Sequence, residues 1–388
     1  MPILDFARQY VQIRGDVLSA LERVCDGQRF ILGEEVGRFE DAAAQACSAP
    51  GTHLYGIGCA SGTDALWLAL ASKGIGTGDA VVTTPFSFFA TVSSILRVGA
   101  QPLLADIDPR TYNLSAAATE TLLRDGSGRH CRSAPIAAIM PVHLYGQCAD
   151  WDAFSMLQKD FDVALLEDAA QAFGARWTGR PAGSLGNMAA FSFYPTKNLS
   201  AYGDAGLVTT PDEELAERAR VLRAHGMRRR YYHEEVGWNS RLDTLQAAVL
   251  LVKLAYIDRW NQQRRELAQS YGELFQKAGL ADRGTYPEQG IILPYVDPRG
   301  THVFHQYVVR VRRRDALRAF LTEKHVGSEI YYPVPLHMQA ALRGLGYAQG
   351  DFPESERAAA EVLALPMFPE LTRPEQEQVV AMIAEFLS

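Results

Sequence analysis

One lysine stands out as a candidate nucleophile, because Lys197 follows an apolar segment and a proline in the stretch FSFYPTKNL at 191–199. Residues 188–193 have the composition of a strand, and Pro195 predicts a turn after it. A lysine in a pocket that excludes water loses its proton more readily and becomes a nucleophilic amine. Such an amine could hold an aldehyde cofactor as a Schiff base. A lone lysine after a strand is more often a surface residue, so this hypothesis needs support from the rest of the chain.

Two other segments follow predicted strands and offer groups that such a cofactor needs. The residues Ser61-Gly62-Thr63 open a predicted helix, whose free N–H groups and dipole favour an anion, although an ordinary N-cap has the same residues. Asp168 comes at the carboxyl end of a predicted strand, where ligands of open α/β sheets bind. A carboxylate there can keep a pyridine nitrogen protonated, and Gln171 can hydrogen-bond a ring oxygen. For Asp168 the alternative is a simple helix cap.

Aromatic and hydroxyl side chains complete this set. The segment at 85–89, PFSFF, follows another strand and could stack a ring on a flat cofactor, although such rings usually belong to the core. Ser192 ends its own strand and is a second candidate donor to a phosphate. The nine histidines show no metal-type pairing and the five cysteines form no CxxC, so we expect no metal site and no disulfide framework.

The composition is that of a globular enzyme with a large core. The chain has 388 residues, of which 47% are hydrophobic, and a formal net charge of −7. Such a length predicts one large and one small domain, and the charge favours neither nucleic acid nor a charged membrane surface. The first residues lack a signal-peptide pattern and no apolar run could span a bilayer, so we expect a cytoplasmic protein.

Short apolar runs alternate with helical segments, which predicts a mostly parallel sheet wrapped by helices. The predicted strands are 54–59, 80–84, 102–107, 135–142, 163–167, 189–193 and 206–210. The predicted helices of this part are 7–26, 34–46, 63–73, 88–98 and 151–159. A long helical stretch at 241–277, broken near Trp260, should lead into a small α+β domain with a strand at 307–311 and helices at 314–325, 354–364 and 373–387. We therefore expect a large domain at 1–255 and a small one at 256–388.

Five motifs in a fixed order carry a resemblance to a known family. They are SGTDAL at 61–66, PVHLYG at 141–146, EDAAQA at 167–172, SFYPTKN at 192–198 and GWNSRLDTLQAA at 237–248. Together they resemble the pyridoxal-phosphate-dependent nucleotide-sugar aminotransferases of the DegT/StrS family, over nearly the whole chain. The resemblance implies the aspartate-aminotransferase fold (type I), with a mixed, mostly parallel seven-stranded sheet, helices on both faces and a small C-terminal α+β domain.

The resemblance also implies a role for each matching residue. Lys197 matches the lysine that binds pyridoxal 5′-phosphate, Asp168 the partner of the pyridine nitrogen and Gln171 the contact to the ring oxygen. Gly62, Thr63 and Ser192 match the phosphate site, and Phe88 matches the stacking ring, which is tryptophan in many members. Asn239 matches a residue that reaches the cofactor phosphate of the neighbouring subunit, which implies a homodimer with shared active sites.

The resemblance extends to a substrate class. The segments NSRLD at 239–243 and YYPVPLH at 331–337 resemble the branch that aminates C3 of a hexose. We expect transfer from L-glutamate to a dTDP-3-keto-6-deoxyhexose, or to a UDP-3-keto-N-acetylhexosamine or its uronic acid. The product would be a 3-amino sugar for lipopolysaccharide, another cell-surface glycan or a glycosylated metabolite. Arg241 could bind a carboxylate or make a structural ion pair, His305 and Tyr332 could contact the sugar, and residues 228–230 could meet the diphosphate or form a solvated charge run.

Other functions stay open. A 4-keto nucleotide-sugar aminotransferase has the same cofactor site. A sugar dehydratase would have histidine in place of Lys197, and a nicotinamide dehydrogenase would have a GxGxxG after its first strand. A non-catalytic regulator that binds cofactor or sugar on the same fold is a further alternative.

Overall fold

Short strands and helices alternate through residues 1–125, 134–281 and 290–388, which the computed structural model describes. The strands are β1 (Tyr55–Cys59), β2 (Ala80–Thr83), β3 (Gln101–Leu104), β4 (Ile136–Ile139), β5 (Ala164–Asp168), β6 (Arg176–Trp177), β7 (Arg180–Pro181), β8 (Met188–Ser192), β9 (Gly206–Thr210), β10 (Met227–Arg229), β11 (Tyr232–His233), β12 (Gly300–Thr301), β13 (Tyr307–Arg310) and β14 (Val362–Leu365). The helices are α1 (Phe6–Gly27), α2 (Glu34–Cys47), α3 (Gly62–Ser72), α4 (Ala90–Arg97), α5 (Ala116–Arg124), α6 (Trp151–Phe161), α7 (Glu213–Leu222), α8 (Thr244–Leu254), α9 (Ile257–Lys277), α10 (Arg314–Glu323), α11 (Pro353–Glu361) and α12 (Arg373–Leu387).

A mixed sheet of seven strands forms the centre of the chain, in the order β1-β9-β8-β5-β4-β2-β3. Strand β9 runs antiparallel to both of its neighbours, and the other neighbouring pairs are parallel. The predicted mostly parallel seven-stranded sheet is therefore confirmed. The carboxyl ends of β1, β2, β4, β5 and β8 consequently meet at one edge of the sheet.

Helices cover both faces of this sheet, as the near-continuous apolar strands require. Alternate side chains of β8 enter different cores: Met188 and Ala190 pack with α3 and α7, whereas Ala189 and Phe191 pack with α1, α2 and α6. Because both faces are buried, each core strand contributes side chains to two clusters. A shift of register by one residue would turn the side chains of one cluster towards the other.

The last third of the chain has its own apolar cluster, built mainly from α9, α10, α12 and the antiparallel pair β13–β14. The predicted helix at 354–364 is wrong at its end, because α11 stops at Glu361 and Val362–Leu365 forms a strand. Those four residues are buried and pair in register with Tyr307–Arg310, which satisfies the backbone of both strands.

The long helical stretch breaks earlier than predicted. Helix α8 ends at Leu254 and α9 begins at Ile257, so Trp260 lies inside α9, where its ring stacks on Tyr256. The predicted domain boundary at 255/256 falls at this break, and it stays a prediction. The start of the chain packs on the C-terminal part and not only on the large domain. The carbonyl of Met1 accepts from the Gly327 N–H at 2.8 Å.

The findings on membrane spans, cysteines and metal ligands cover only the described residues. Within the described ranges, no helix is both long and apolar enough to cross a membrane. Cys25, Cys47, Cys59 and Cys148 are free thiols, and Cys131 lies outside the described residues. No group of side chains suitable for a metal ion occurs in the described residues either.

Candidate active site

A cavity of about 520 Å³ opens where the parallel strands end. The turns after β1, β2, β5 and β8 form one side of it, and segments that precede β13 or follow α10 form the other. Sequence-predicted residues line it together: Gly62, Thr63, Phe88, Asp168, Gln171, Ser192, Lys197, His305 and Tyr332. A single cavity thus collects residues that are far apart in the sequence.

Lys197 lies in a tight turn just after β8, where its N–H donates to the Tyr194 carbonyl at 2.8 Å. The chain then returns to the sheet, because the Ala201 N–H donates to the Phe193 carbonyl at 2.7 Å. Burial lowers the pKa of Lys197 to about 8, and the nearby carboxylate of Asp168 partly opposes this shift. A substantial fraction of the amine is therefore neutral and nucleophilic near pH 8.

Asp168 is the last residue of β5 and is 2% exposed. Its Oδ2 accepts a hydrogen bond from Thr91 Oγ1 at 2.7 Å, and its Oδ1 accepts from the Ala170 N–H at 3.3 Å. Burial raises the pKa of Asp168, while the bond from Thr91, the bond from Ala170 and the charge of Lys197 lower it. A carboxylate in this position suits a protonated pyridine nitrogen.

The amino end of α3 and the end of β8 come unusually close together. A Cβ atom added to Gly62 would lie 2.4 Å from the Cβ of Ser192, so only glycine fits there. Ser61 caps the helix, since its hydroxyl accepts from the Asp64 N–H at 3.1 Å. The N–H groups of the first turn and the Ser192 hydroxyl therefore face the same part of the cavity, which favours a phosphate.

The orientation of Gln171 is fixed by two neighbours. Its Oε1 accepts from the Tyr145 N–H at 2.6 Å, and its Nε2 donates to the Tyr332 hydroxyl at 3.1 Å. Nε2 has a second hydrogen, so the predicted contact of Gln171 to a ring oxygen stays possible for this amide. The ring of Phe88, 58% exposed on the same cavity, lies 6.1 Å from that of Tyr332.

His305 is buried, and a chain of amides determines where its proton lies. Asn198 donates through Nδ2 to the side-chain oxygen of Asn261 at 2.8 Å and to the Val303 carbonyl at 3.0 Å. Both hydrogens of that amide are used, so Asn198 Oδ1 accepts from His305 Nδ1 at 3.2 Å. Nε2 of His305 is then an unprotonated acceptor on a residue that lines the cavity.

The charge state of His305 agrees with this assignment. Burial lowers its pKa well below the ordinary value, and the positive charges of Lys197 and Arg264 lower it further. The ring is therefore neutral throughout the physiological range.

Asn239 and Arg241 do not line the cavity of their own chain. They lie on a loop that is held against the outside of α3, where Ser240 Oγ donates to Asp64 at 2.8 Å and Trp238 packs on Trp67 at 4.3 Å between ring centroids. Asn239 is exposed, and Arg241 Nε is buried without a hydrogen-bond partner in the described residues.

Residues 228–230 behave differently from one another. Arg228 pairs with Glu217 and Glu234, as in a solvated charge cluster. Arg229 and Arg230 lie over the rings of Tyr232 and Tyr231 and form no ion pair in the part of the chain that the structure describes.

Sequence reasoning missed several cavity residues, namely Ser87, Thr91, Tyr194, Gln306 and Tyr331. Ser87 and Thr91 are four residues apart, which places both on one side of the turn that begins α4. The sequence contains this spacing, but the aromatic rings of the segment 85–89 are its more conspicuous feature.

These groups fit pyridoxal 5′-phosphate. The cavity provides an amine with a lowered pKa, a carboxylate for the pyridine nitrogen, an amide for the ring oxygen and a helix terminus for the phosphate. The sheet order and this site together define a pyridoxal-phosphate-dependent enzyme with the aspartate-aminotransferase fold.

The chain belongs to the DegT/DnrJ/EryC1/StrS aminotransferase family, whose model matches residues 11–384. A solved structure of Streptomyces venezuelae DesV, in complex with a ketimine intermediate, has a TM-score of 0.91 and 39% identity, and the match covers 100% of this chain and 98% of that one. The family, the fold and the cofactor predicted from the sequence are thereby confirmed.

Curated relatives match over the full length of the chain. A pleiotropic regulatory protein of Geobacillus stearothermophilus is 46% identical, with 100% of this chain and 98% of the relative covered. The dTDP-3-amino-3,4,6-trideoxy-alpha-D-glucose transaminase of Streptomyces venezuelae is 39% identical, with 100% and 96% covered. The UDP-N-acetyl-3-dehydro-alpha-D-glucosamine 3-aminotransferase of Acidithiobacillus ferrooxidans is 37% identical, with 100% and 98% covered.

Proposed function

We propose that the protein transfers an amino group from L-glutamate to C3 of a 3-keto hexose that is linked to a nucleoside diphosphate. The observation that carries this proposal is that Lys197 and Asp168 line one cavity in a chain that belongs to the DegT/DnrJ/EryC1/StrS aminotransferase family. The segments 239–243 and 331–337 support C3, as do the names of two relatives. The resulting 3-amino sugar would serve a cell-surface glycan such as lipopolysaccharide, or a glycosylated metabolite.

Each cavity residue has a defined task in this reaction. Bound pyridoxal phosphate supplies an electron sink for the carbon that carries the nitrogen. Lys197 Nζ, as a base whose pKa of about 8 lies near working pH, would take the proton from the amino-bearing carbon of glutamate in the first half-reaction, and it would give a proton to C3 of the sugar in the second. Asp168 keeps a proton at the pyridine nitrogen. The N–H groups of Gly62 and Thr63, with Ser192, hold the phosphate.

Substrate recognition uses the opposite side of the cavity. His305 Nε2 can accept a hydrogen bond from a sugar hydroxyl, and the Tyr332 hydroxyl can donate to the substrate or the cofactor. Phe88, on the side of the cavity formed by the strand ends, would stack on the cofactor ring.

The nucleotide stays open between dTDP and UDP. The relatives named for a dTDP-linked and a UDP-linked sugar are 39% and 37% identical to this chain, so overall identity does not separate the two. Mass spectrometry of products from a panel of keto nucleotide sugars, with glutamate as donor, identifies the substrate and also separates C3 from C4 amination.

A second copy of the chain would complete the site. Among the described residues that line the cavity, Lys197 is the one lysine or arginine, whereas a diphosphate needs further positive charge. Asn239, Arg229, Arg230 and Arg241 lie outside the cavity on or near exposed loops. We infer that a homodimer brings these residues to the partner's cavity, in the cytoplasm, where buried thiols such as Cys47 and Cys59 stay reduced.

A regulatory role is the second candidate, because the relative of 46% identity is named a pleiotropic regulatory protein. An enzyme must release 2-oxoglutarate from glutamate at a rate that depends on the keto-sugar, and a Lys197→Ala variant must lose this activity. If the wild-type protein binds cofactor and nucleotide sugar without releasing 2-oxoglutarate, the regulatory function is favoured and the catalytic proposal fails.

A further inference from the structure

A chain of buried hydroxyls leads to the carboxylate at the end of β5. Thr91 Oγ1 donates to Asp168 Oδ2 at 2.7 Å, and Ser87 Oγ lies 2.9 Å from Thr91 Oγ1. Ser87, Thr91 and Asp168 are 4%, 1% and 2% exposed, so water competes little for these bonds. Both hydroxyl residues come from the segment between β2 and the first turn of α4, which approaches β5 at the cavity edge.

The direction of the protons in this chain follows from counting hydrogens. A threonine hydroxyl has one hydrogen, and that of Thr91 is donated to Asp168. Thr91 therefore has no hydrogen left for Ser87. The Ser87 hydroxyl must be the donor in the bond between the two residues. The two hydrogen bonds polarise and strengthen one another, and both hydroxyls donate in the direction of the carboxylate.

No other side chain within the described ranges hydrogen-bonds the Asp168 carboxylate. His143 is nearby, but its Nδ1 accepts from the Ala149 N–H at 3.1 Å, and its Nε2 therefore donates to Glu167 at 3.1 Å. Lys197 makes no hydrogen bond to Asp168 and acts on it only through its charge.

The carboxylate needs such a partner because its site is otherwise unfavourable for charge. Burial raises the pKa of Asp168, and the bond from Thr91 is the largest of the contributions that lower it again. The Thr91 bond also occupies Oδ2, whereas Oδ1 has only the long contact from the Ala170 N–H. Oδ1 thus keeps more capacity for a further donor.

We propose that Thr91 is a positioning residue that holds Asp168 ionised and turned so that Oδ1 meets the pyridine N–H of the cofactor, with Ser87 orienting Thr91. The proposal rests on the proposed use of pyridoxal phosphate by this cavity, and it adds two residues that the sequence motifs do not mark. Thr91 would act through Asp168 and need not touch substrate or cofactor.

The test compares Thr91→Val, which keeps the shape and removes the donor, with Thr91→Ser, which keeps the hydroxyl. Binding of pyridoxamine phosphate to the apoprotein is measured by absorbance. The ring-nitrogen titration of the bound cofactor is followed in the ultraviolet. A hydrogen bond to a charged group is worth about tenfold to a hundredfold in affinity, so Thr91→Val should bind that much more weakly and lose its ring proton at lower pH. Thr91→Ser should stay within about threefold of wild type.

A matched control separates this role from a simple loss of stability. Thr83 is also a buried threonine, at the end of β2, and its hydroxyl donates to the Met140 carbonyl at 2.8 Å, and neither residue lines the cavity. Thr83→Val should lower the melting temperature without changing cofactor affinity or its titration. If Thr91→Val does not fold, Ser87→Ala takes its place. This variant should shift the titration of the ring nitrogen in the same direction, by a smaller amount.

The outcomes are distinct from those that test the overall function. An unchanged affinity and titration in Thr91→Val, or in Ser87→Ala where only that variant folds, overturns the role of Thr91 even if amino transfer proceeds. Failure of every keto-sugar to accept nitrogen refutes the proposed substrate and leaves the Thr91 result intact, since that result is read from cofactor binding alone.

Discussion

At the scale of single residues, the chemistry depends on the environment of the Lys197 amine. A lysine in solvent has a pKa near 10.5, whereas burial lowers that of Lys197 to about 8. Only the deprotonated amine attacks an aldehyde, so capture of pyridoxal phosphate by the apoprotein should speed up as the pH rises through about 8. Stopped-flow absorbance between pH 6 and 11 measures this, and a midpoint that stays near 10.5 would contradict the buried environment.

A second prediction at this scale concerns the acceptor nitrogen of His305. Asparagine places its amide where Nδ1 lies and loses the acceptor in the cavity, whereas glutamine can present an oxygen near the position of Nε2. We expect His305→Asn to lower kcat/KM for the keto-sugar about tenfold, the cost of one lost hydrogen bond, and His305→Gln to retain most of it. Cofactor affinity should change in neither variant. Equal losses in both would show that the acceptor position is irrelevant.

Much of the site could be predicted from the sequence, because its residues lie in motifs. Lys197, Asp168 and Gly62 each end or follow a strand within a short, recognisable segment. Thr91 could not be assigned in the same way, since its partner is 77 positions away and only the sheet order brings them together. The tautomer of His305 likewise depends on Asn261, which belongs to a helix far along the chain.

At the scale of elements, the approach of α3 to β8 sets the geometry of the phosphate site. The Cβ of an alanine at position 62 would lie 2.4 Å from that of Ser192, so the helix or the strand would have to move. Gly62→Ala should reduce pyridoxal phosphate affinity at least tenfold and destabilise the protein by about 1–3 kcal/mol, the range for overpacking. Equilibrium dialysis and chemical denaturation provide the two measurements.

Gly15 provides the matched control, because a Cβ there has no atom within 4 Å. It is exposed within α1, so Gly15→Ala should stabilise the protein by up to about 1 kcal/mol and leave the cofactor affinity unchanged. Tight cofactor binding by Gly62→Ala would mean that this helix terminus is not the phosphate site.

Element types were easier to predict than their ends. The apolar residues Val362–Leu365 continue the pattern of α11 and look helical by themselves, and only pairing with β13 makes them a strand. Helix α7 had no prediction, although Asp212 caps it and acidic residues fill its first turn. Local signals were present there, whereas β14 depends on a strand more than fifty residues away.

At the scale of the whole molecule, we expect two chains to share each active site. Lys197→Ala removes the amine of a chain's own cavity, and Asn239→Ala removes a group proposed to serve the partner's cavity. Mixing the two inactive or weakened variants should restore activity. About half of the randomly assorted dimers are mixed, and each mixed dimer has one intact site of two, so the activity per chain should reach about a quarter of the wild-type value. Refolding or subunit exchange followed by a 2-oxoglutarate assay measures this.

The control for that experiment pairs two variants of the same cavity. Lys197→Ala mixed with Asp168→Ala leaves every site in a mixed dimer defective, so no activity should return. No recovery with Asn239→Ala would place Asn239 in its own chain's site and remove the argument for sharing. Recovery with Asp168→Ala would instead show that Lys197 and Asp168 do not serve the same cavity. The sequence alone predicted this sharing only through the family resemblance, since contacts between chains leave no local pattern.

The most direct test of the central claim is the identity of the lysine that binds the cofactor. Borohydride reduction of the holoprotein, followed by peptide mass spectrometry, locates the pyridoxyl group. Lys253 is an internal comparison, because its amine is also buried with a pKa of about 8, but it donates to Ser200 at 2.8 Å and does not line the cavity. The structure predicts modification of Lys197 alone. A pyridoxyl group on Lys253 or another lysine, with Lys197 unmodified, would contradict it.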